Sequence, residues 1–487
     1  KLSNILQNVH SIQQQNFADT NISSLHFDSR NVVQGSMFFA IKGTVTDGHN
    51  YIDKAIESGA TVIVYENDGD LKINNAVVYV QVADSSTAMA KCAGNFYNNP
   101  SEKLKLIGVT GTNGKTTTVT LLYNLFVEMG EKCGLISTIK YLVNNKEYIS
   151  THTTPNIIKL NELLNAMVDE GCKYAFMEVS SHAIHQKRIA GLTFAGGVFT
   201  NISHDHLDYH KTYKEYIKAK KLFFDGLPKT AFALTNIDDK NGEFMLQNTQ
   251  AKKQRYAVKS LADFKAKINF HTIDGMELIF NNNSFFTSIV GVYNCYNLLV
   301  TYAVALLLNK NKVLTLNTLS VITGAKGRFE TVRDESSGKV AIVDYAHTPD
   351  ALSKLLNAVN QVKESNQNVI TVVGCGGDRD KAKRPIMAKN AVELSDYVLL
   401  TSDNPRTENP AQILKDMYVG VASDKTENVE IIEDRKAAIT KAITLASFND
   451  LVIVAGKGHE TYQEINGIKH PFDDVQIIKQ IFKISNN

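Results

Sequence analysis

The chain has 487 residues, of which 43% are hydrophobic, and its 52 basic residues are nearly balanced by 50 acidic ones. This length predicts about three domains with sizeable apolar cores, and the composition excludes a disordered chain. The net charge of +2 argues against a dedicated nucleic-acid or membrane-surface binder, although it leaves room for local basic pockets that bind phosphate. We therefore expect a globular monomer that binds neither nucleic acid nor membrane.

The cysteines indicate a reducing compartment. They are odd in number, scattered and without a C-x-x-C pair, which argues against a disulfide framework or a zinc site. The five are Cys92, Cys133, Cys172, Cys295 and Cys375. No apolar run has the length that crosses a bilayer, and the polar start, Lys1–Asn16, is helical in character and lacks an apolar signal segment. We expect a cytoplasmic protein.

Strand and helix patterns alternate along the chain and divide it into three blocks. The predicted blocks are 1–101, 102–332 and 333–487, with a polar linker at Tyr97–Lys103. Apolar runs predict strands at Met37–Ile41, Thr61–Tyr65, Val78–Val82, Leu104–Thr110, Tyr174–Val179, Gly197–Asn201, Val340–Tyr345, Asn368–Gly374, Tyr397–Thr401 and Leu451–Ala455. Helices are predicted at Tyr51–Ser58, Lys115–Met129, which Gly130 would end, and Ala351–Lys363. This alternation indicates α/β domains with parallel sheets.

A glycine-rich loop between a strand and a helix predicts a nucleotide site. Its residues are Gly111, Thr112, Asn113, Gly114, Lys115, Thr116 and Thr117. In such a loop, backbone N–H groups close on phosphate oxygens, an exposed Lys115 neutralises the β- and γ-phosphates, and the Thr116 hydroxyl ligates Mg²⁺. The sequence departs from the strict phosphate-loop pattern at position 109, which is Val. The alternative is an ordinary glycine turn before a helix.

Acidic and histidine side chains follow the next predicted strands. Glu178 ends an apolar strand, and carboxylates at the carboxyl ends of parallel strands point into the ligand crevice, so Glu178 is a candidate Mg²⁺ ligand. The segment His204–His210 contains three histidines and two acids. No cysteine lies nearby and the spacing suits a loop, so zinc fits poorly, whereas one histidine, His206, among oxygen ligands fits Mg²⁺. A structural hydrogen-bonding role is the alternative.

Two further patterns are weak. Gly374–Arg379 follows a strand, but Arg379 takes the sixth position of a G-x-G-x-x-G pattern, so this residue is better interpreted as an anion clamp. Ser180–His182 pairs a serine with a histidine, but we expect these residues to continue a strand and to point to opposite faces. A serine hydrolase is therefore a poor interpretation.

Taken together, these segments resemble the Mur ligase superfamily, essentially from end to end. The similar segments are Thr110–Thr117, Glu178–His182, Asp205–His210, Gly291–Asn297, Gly327–Glu330 and Asp344–Asp350. The resemblance implies an α/β protein of three domains. These are a small N-terminal domain that binds the UDP precursor, a central P-loop ATPase-like domain with a parallel sheet, and a C-terminal Rossmann-like domain that binds the amino acid.

Three segments resemble the branch of the superfamily that adds 2,6-diaminopimelate: Asp28–Arg30, Thr153–Pro155 and Asp403–Arg406. The resemblance implies an ATP-dependent amide-bond-forming ligase that requires Mg²⁺. It would add meso-diaminopimelate to UDP-N-acetylmuramoyl-L-alanyl-D-glutamate through an acyl phosphate, in peptidoglycan precursor synthesis. The partners implied are that UDP-linked dipeptide and the amino acid.

The resemblance also assigns roles to single residues. Asn297, Arg328 and Asp344 would contact ATP. The uridine diphosphate end of the precursor would be held by Ser29, Thr44, Val45 and Thr46, where Thr44–Thr46 replaces the more familiar H-Q-A and implies backbone contacts. The sugar-peptide part of the precursor would be held by Thr153, Thr154, Ser180, Gln186 and Arg188. The amino acid would be held by Arg379, Asp403, Asn404, Pro405, Arg406, Gly456 and Glu460. We expect Arg406 to offer a buried, unpaired fork to the distal carboxylate.

The resemblance further assigns Lys220 to the lysine that such ligases carry as a carbamate. A carbamate turns a cation into an anionic Mg²⁺ ligand, which an ammonium could not be. From the residues alone, Lys220 is a helix-surface lysine. The implied catalytic set is Lys115, Glu178, His206 and Lys220, and the implied metal ligands are Thr116, Glu178, His206 and Lys220.

Several alternatives stay open. A folylpolyglutamate-synthase-like ligase would share the phosphate loop but lack the residues ahead of it that carry Asp28–Arg30. The lysine-adding form of the same ligase is disfavoured by Asp403–Arg406. A P-loop switch needs no acidic and arginine-containing amino-acid pocket, and an inactive homologue would not need to keep Lys115 or Glu178.

Overall fold

The structure is a computed structural model that describes residues 1–43, 46–66, 71–203, 205 and 207–483, apart from the side chains of Leu207 and Asp208. Within these ranges the chain forms three large sheets and one small hairpin, each from a consecutive stretch of sequence. Helices pack against the sheets, so the α/β class predicted from the sequence is confirmed. No helix among the described residues is long and apolar enough to cross a membrane.

The first sheet has the strand order β1-β5-β4-β3-β2. Its strands are β1 (Ser11–Gln15), β2 (Ser24–His26), β3 (Ser36–Phe39), β4 (Ala60–Tyr65) and β5 (Val78–Val82), and its helices are α1 (Leu2–Ile5), α2 (Ile52–Glu57) and α3 (Ser85–Phe96). The helical character predicted for the start of the chain is wrong beyond α1. Residues 11–15 pair antiparallel with β5, because tertiary pairing overrides the local preference of a polar, glutamine-rich segment.

The second sheet has eleven described strands and carries the phosphate loop. Its strands are β6 (Lys105–Thr110), β7 (Cys133–Ile136), β8 (Lys140–Val143), β9 (Lys146–Ile149), β10 (Tyr174–Glu178), β11 (Gly196–Phe199), β12 (Phe232–Asn236), β13 (Lys252–Ala257), β14 (Phe264–Thr272), β15 (Gly275–Phe280) and β16 (Asn283–Thr287). Along the sheet, the neighbouring strands in the order β7-β10-β6-β11-β12-β13-β14 are parallel, as predicted. The strands β8, β9, β15 and β16 add antiparallel hairpins at the two sides.

The helices of this second unit are α4 (Lys115–Glu128), α5 (Ile157–Asp169), α6 (Ser181–His185), α7 (Leu207–His210), α8 (Tyr213–Asp225), α9 (Gly242–Met245), α10 (Val292–Leu307) and α11 (Lys312–Leu319). Gly130 ends α4 as predicted. It adopts a positive φ of 80°, which costs glycine little, and its N–H donates back to Val127 O at 2.8 Å.

The third sheet has the order β17-β18-β22-β19-β20-β21, parallel except for β17. The third unit contains β17 (Glu330–Arg333), β18 (Val340–Asp344), β19 (Val369–Val373), β20 (Tyr397–Leu400), β21 (Val429–Ile431), β22 (Leu451–Ala455) and the hairpin β23 (Tyr462–Ile465) and β24 (Ile468–Pro471). Its helices are α12 (Pro349–Val362), α13 (Lys383–Leu394), α14 (Pro410–Tyr418), α15 (Arg435–Leu445) and α16 (Asp474–Ile481). Because β17 pairs with β18, the predicted domain boundary after residue 332 falls inside a strand of this sheet. The boundaries stay a prediction.

Strand ends position the functional loops. In a parallel sheet the carboxyl ends of the strands share one edge, and the loops there form the ligand crevice. In the second unit, β6, β10 and β11 end at such an edge, and in the third unit β18, β19, β20 and β22 do the same. The two units touch where Asn113 Nδ2 donates to Asp350 Oδ2 at 2.9 Å.

Candidate active site

The phosphate loop is held in place by the segment that follows β11. Gly111 has φ 152°, and a Cβ atom there would lie 1.9 Å from Thr200 Oγ1, so only glycine fits. The Thr112 N–H donates to Asn201 O at 2.8 Å, and the Asn113 N–H donates to Asn201 Oδ1 at 3.1 Å. Gly114 begins α4 in the left-handed region, with φ 86°. The structure therefore builds the loop that the sequence predicts between a strand and a helix.

Two lysines from different helices meet at one carbonyl of this loop. Lys115 Nζ donates to Gly111 O and to Thr112 O, both at 2.8 Å, and Lys220 Nζ donates to Gly111 O at 2.9 Å. Lys220 is only 1% exposed, which excludes the helix-surface interpretation. Burial lowers the pKa of Lys115 and holds the pKa of Lys220 well below its ordinary value, with Lys115 adding to the second effect.

The position of Lys115 differs from expectation. We expected an exposed lysine, whereas the side chain is partly buried and bonded to its own loop. The physical reason is that an ammonium group near the loop takes the nearest acceptors, which are backbone carbonyls.

The candidate metal ligands supply oxygen atoms. Glu178 ends β10 and is 1% exposed, and its carboxylate accepts from Thr138 N at 2.7 Å and Thr138 Oγ1 at 3.2 Å. Thr116 lies buried in the first turn of α4. No group of three histidine, cysteine or acidic residues that could hold a metal occurs in the described part of the chain. His206 lies outside the described residues.

Five residues predicted to hold the sugar-peptide part of the precursor form one connected cluster. The hydroxyl oxygens of Thr138 and Thr153 are hydrogen-bonded at 3.0 Å, and Thr154 Oγ1 donates to Glu178 O at 2.8 Å. Thr154 also contacts Ser180, whose N–H donates to Thr154 Oγ1 at 3.1 Å. The cluster therefore adjoins Glu178 directly.

Arg188 completes this cluster. Its Nη1 donates to Thr154 O at 3.1 Å and its Nη2 donates to Gln186 Oε1 at 2.5 Å. Gln186 Nε2 in turn donates to the Tyr209 hydroxyl at 3.0 Å. Ser180 is the N-cap of α6, so Ser181 and His182 belong to a helix and do not continue the strand, contrary to expectation.

The residues predicted for the UDP end lie in the first unit. Ser29 is buried in a short 3-10 helix that Asp28 caps through the N–H of Arg30, at 3.0 Å. Thr46 is exposed, and Thr44 and Val45 lie outside the described residues. An ion pair between Asp84 and Lys187 joins the first unit to the second.

Of the three residues predicted to contact ATP, Asn297 lies beside the phosphate loop, and Arg328 and Asp344 lie where the second and third units meet. Asn297 on α10 accepts from Thr118 Oγ1 at 3.3 Å, and its Oδ1 lies 2.7 Å from where a Cβ of Gly114 would be. The Arg328 guanidinium stacks 4.5 Å from the Tyr345 ring centre, and its Nε is buried without a hydrogen-bond partner among the described residues. A buried donor without a protein partner is free to donate to a ligand or to an ordered water.

Asp344 closes this junction at the end of β18. Its Oδ2 accepts from Phe329 N at 2.7 Å, which holds the loop that carries Arg328. Burial raises the pKa of Asp344, although the nearby Arg328 charge acts in the opposite direction.

The residues predicted to bind the amino acid converge at the edge formed by β19, β20 and β22. Asp403 and Asn404 are buried, and Asn404 Nδ2 donates to Glu460 Oε2 at 2.8 Å. Gly456 has φ 119°, and a Cβ there would lie 2.6 Å from Asp403 Oδ2, so the glycine makes room for the carboxylate. A Cβ on Gly376 would lie 2.9 Å from Arg406 Nη1 and 4.0 Å from Arg379 Cγ, so both arginines flank one loop.

Arg406 is not the buried, unpaired fork that we expected. Its side chain is 21% exposed, its Nη1 donates to Gly377 O at 2.7 Å, and its Nε lies 3.5 Å from Glu464 Oε2. Pro405 precedes it, and Arg406 has a positive φ of 51°. The loop after β19 supplies Gly377 and strand β23 supplies Glu464, and no sequence motif predicted that β23 would reach this loop.

Sequence reasoning missed two side chains that contact the predicted site residues. Thr138 joins Glu178 to the precursor cluster, but it belongs to no motif. Lys457 lies fully buried between Asn404 and Glu460, where its Nζ is 3.1 Å from Asn404 Oδ1 and 3.1 Å from Glu460 Oε2. Lys457 lies in the segment that carries Gly456 and Glu460. The sequence signal that could have identified it is an apolar strand followed by glycines and a lysine.

Comparison with known proteins places this geometry in a family. Family models match residues 21–97 (Mur ligase family, catalytic domain), 109–305 (Mur ligase middle domain) and 327–458 (Mur ligase, glutamate ligase domain). A UDP-N-acetylmuramoyl-L-alanyl-D-glutamate–2,6-diaminopimelate ligase from Phocaeicola vulgatus is 54% identical, over 96% of each chain. The chain belongs to the Mur ligase family. It is an ATP-dependent ligase that forms amide bonds.

Two further proteins of this family are similar over nearly the whole chain. A ligase of the same name from Cytophaga hutchinsonii is 52% identical over 99% of each chain. A solved structure of a UDP-N-acetylmuramoyl-L-alanyl-D-glutamate–2,6-diaminopimelate ligase is 30% identical, covers 96% of this chain and 97% of its own, and has a TM-score of 0.68. The three-unit architecture is therefore that of Mur ligases.

Proposed function

We propose that the protein adds meso-diaminopimelate to UDP-N-acetylmuramoyl-L-alanyl-D-glutamate, as a cytoplasmic step of peptidoglycan precursor synthesis. Relatives that are 54% and 52% identical over nearly all of both chains are named for this reaction. One structural observation carries the proposal. Three strand-end loops bring the carboxylate of Glu460, the guanidinium group of Arg406 and the exposed side chain of Arg379 to one sheet edge. The distal end of diaminopimelate carries an ammonium and a carboxylate, which match these groups.

The reaction has two steps. The D-glutamate carboxylate attacks the γ-phosphorus of ATP, ADP leaves, and an acyl phosphate forms. The amine of diaminopimelate then attacks the acyl carbon, phosphate leaves, and the nitrogen loses a proton. Lys115, freed from the carbonyls of Gly111 and Thr112, offsets the charge on the phosphoryl oxygens. An acyl phosphate reacts readily with water, so we expect the second and third units to close over it.

The residues near the phosphate loop fit Mg²⁺. Glu178 presents a buried carboxylate and Thr116 a hydroxyl, and hard oxygen ligands of this kind suit Mg²⁺, which keeps several waters and binds substrate phosphates. We propose that His206, and Lys220 as a carbamate, are the other protein ligands of Mg²⁺. When bound, Mg²⁺ neutralises charge on the transferring phosphoryl group.

The environment of Lys220 favours carbamate formation. Its low pKa keeps a share of the amine neutral, and a neutral amine attacks the carbon of CO₂, loses one proton and becomes an N-carboxylate. The change removes a positive charge that otherwise lies beside Lys115 at the Gly111 carbonyl. Two ammonium groups at one carbonyl repel each other, and one cation beside one anion does not.

The precursor would extend from the first unit to the phosphate loop. Ser29 and the backbone around Thr46 would hold the uridine diphosphate, together with Thr44 and Val45. The cluster around Thr154 and Arg188 would hold the sugar and peptide. Because Thr154 donates to Glu178 O, this cluster would bring the D-glutamate carboxylate next to the metal ligands.

Omitting one substrate at a time tests the proposal. Phosphate release should require ATP, the UDP-dipeptide and diaminopimelate together, and mass spectrometry should find the UDP-tripeptide. A P-loop switch would release phosphate without the amino acid, and a folylpolyglutamate-synthase-like ligase would use a folate substrate in place of the UDP-dipeptide. Either result would overturn the assignment.

A further inference from the structure

Lys457 is a fully buried cation next to two carboxylates. It follows β22 and Gly456, and its side chain has no exposed surface. Its Nζ lies 3.1 Å from Glu460 Oε2 and 3.9 Å from Asp403 Oδ1. A buried ammonium is costly unless opposite charges and hydrogen bonds compensate it, and here both are present. The lysine is therefore built into the amino-acid pocket and is not a surface residue that happens to lie near it.

The ammonium group fixes the orientation of the side chains around it. Lysine has only donors, so the amide oxygen of Asn404 must face Lys457, at 3.1 Å. The same oxygen accepts from Glu464 N at 2.9 Å, which leaves Asn404 Nδ2 to donate to Glu460 Oε2 at 2.8 Å. Glu460 Oε2 thus accepts two hydrogen bonds. Its other oxygen, Oε1, accepts none from the residues that the structure describes.

The buried charged groups around Lys457 leave one net negative charge beside it. Asp403 and Glu460 carry two negative charges and Lys457 one positive charge. Behind them Arg435 and Asp474, both fully buried, form a closed pair with contacts of 2.8 and 2.9 Å and add no net charge. Burial and Asp403 raise the pKa of Glu460, and Lys457 opposes this shift. Removing the Lys457 charge would therefore favour the protonated form of Glu460, which attracts an ammonium less.

We propose that Lys457 is a positioning residue that keeps Glu460 ionised and oriented to accept the distal ammonium of the incoming amino acid. This inference rests on the proposed function. It predicts that Lys457 acts on substrate affinity through Glu460, and that it matters only for substrates that carry a distal amine. A purely structural lysine would instead affect all substrates and the stability of the domain alike.

Steady-state kinetics of Lys457→Met test the inference. We expect the KM for diaminopimelate to rise about tenfold or more, and the KM values for ATP and the UDP-dipeptide to stay within about twofold. With 2-aminopimelate, which lacks the distal amine, the variant and the wild type should differ little. Lys389→Met, the same change at an exposed helix position, is the matched control and should behave as wild type.

A double-mutant comparison keeps the test decisive if Lys457→Met alone fails to fold. The pair Lys457→Met with Glu460→Gln removes one charge of each sign, and it should match Glu460→Gln alone in the KM for diaminopimelate. A further tenfold loss in the double variant, or parallel changes in every KM, would overturn the inference. Wild-type enzyme that does not use diaminopimelate at all would instead refute the proposed function.

Discussion

At the scale of single residues, the meeting of Lys115 and Lys220 at the Gly111 carbonyl is the central chemical feature. Both amino groups donate to the same loop carbonyl, and the carboxylates of Glu178 and Asp205 act on the charge of Lys115. The phosphate groups of ATP would compensate the charge of Lys115. Conversion of Lys220 to a carbamate would remove the repulsion between the two ammonium groups. The two lysines therefore have different expected roles, and substitution separates them.

We expect Lys115→Ala to lower kcat by about 10²–10³-fold, because it removes a charged donor to the transferring phosphoryl group. Steady-state phosphate release measures the loss. Lys105→Ala, which removes an exposed lysine ten residues earlier, is the control and should retain normal turnover. Near-normal turnover of Lys115→Ala would contradict the phosphate-loop assignment.

Lys220→Ala should be nearly inactive, and short carboxylates such as acetate should partly restore it, because a small acid can occupy the place of the carbamate. The intact wild-type protein should gain the mass of one CO₂ in bicarbonate buffer. Lys218→Ala changes an exposed lysine of the same helix and should need no rescue. Full activity of Lys220→Ala would refute the assignment.

Arg406→Ala should raise the KM for diaminopimelate and narrow its advantage over lysine. Arg406 already donates to Gly377 O and is partly exposed. We therefore expect its loss to weaken the binding of diaminopimelate by about 1.5–3 kcal/mol, the range of a charge-assisted hydrogen bond. KM values for both amino acids measure the effect. An unchanged ratio would show that Arg406 does not contact the distal carboxylate.

At the scale of elements, a buried arginine ties α13 to the loop that carries Arg406. Arg384 is fully buried and donates to Glu408 Oε1 and Asp416 Oδ2, both at 2.8 Å. Glu408 also accepts from Asp378 N at 2.6 Å, next to Arg379. The hydrogen bond from Arg384 is the main cause that lowers the pKa of Glu408 to about 2.

This pair predicts a pH-dependent stability. A carboxyl group whose pKa is lowered on folding stabilises the protein above its unfolded pKa, and the contribution is lost as pH falls through the folded pKa. Glu408→Gln should therefore melt at a lower temperature than wild type above about pH 4.5. The difference between the two melting temperatures should shrink as the pH falls through about 2. Thermal unfolding over this range checks it, with Glu393→Gln as an exposed control. A difference that is constant with pH would contradict the account.

The sequence predicted the buried parallel strands well and the edges poorly. Val78–Val82 and Leu451–Ala455 match the observed strands residue by residue, because continuous apolar runs mark strands buried on both faces. The hairpins β8–β9 and β15–β16 were not predicted, since their partly exposed strands lack such runs. The phosphate loop could be predicted because its residues are adjacent in the sequence. The environment of Lys457 could not, because it depends on a contact with Asn404, 53 residues away, and no motif links the two residues.

At the scale of the whole molecule, the proposed function divides substrate binding among three units. The second unit carries the phosphate loop, the third carries the residues that we propose bind the amino acid, and Asn113 and Asp350 touch across their junction. Arg328 and Asp344 lie at the same junction, and the buried Nε of Arg328 lacks a partner among the described residues. Under the proposed function, we expect the two units to come together around ATP at this junction.

The measurement that tests the account most directly compares diaminopimelate with lysine in UDP-dipeptide-dependent phosphate release under matched conditions. Lysine lacks the distal carboxylate and so leaves the guanidinium groups of Arg379 and Arg406 without their ligand. We expect kcat/KM to favour diaminopimelate by about ten- to a hundredfold. Equal use of the two amino acids would contradict the account, as would phosphate release that needs neither of them.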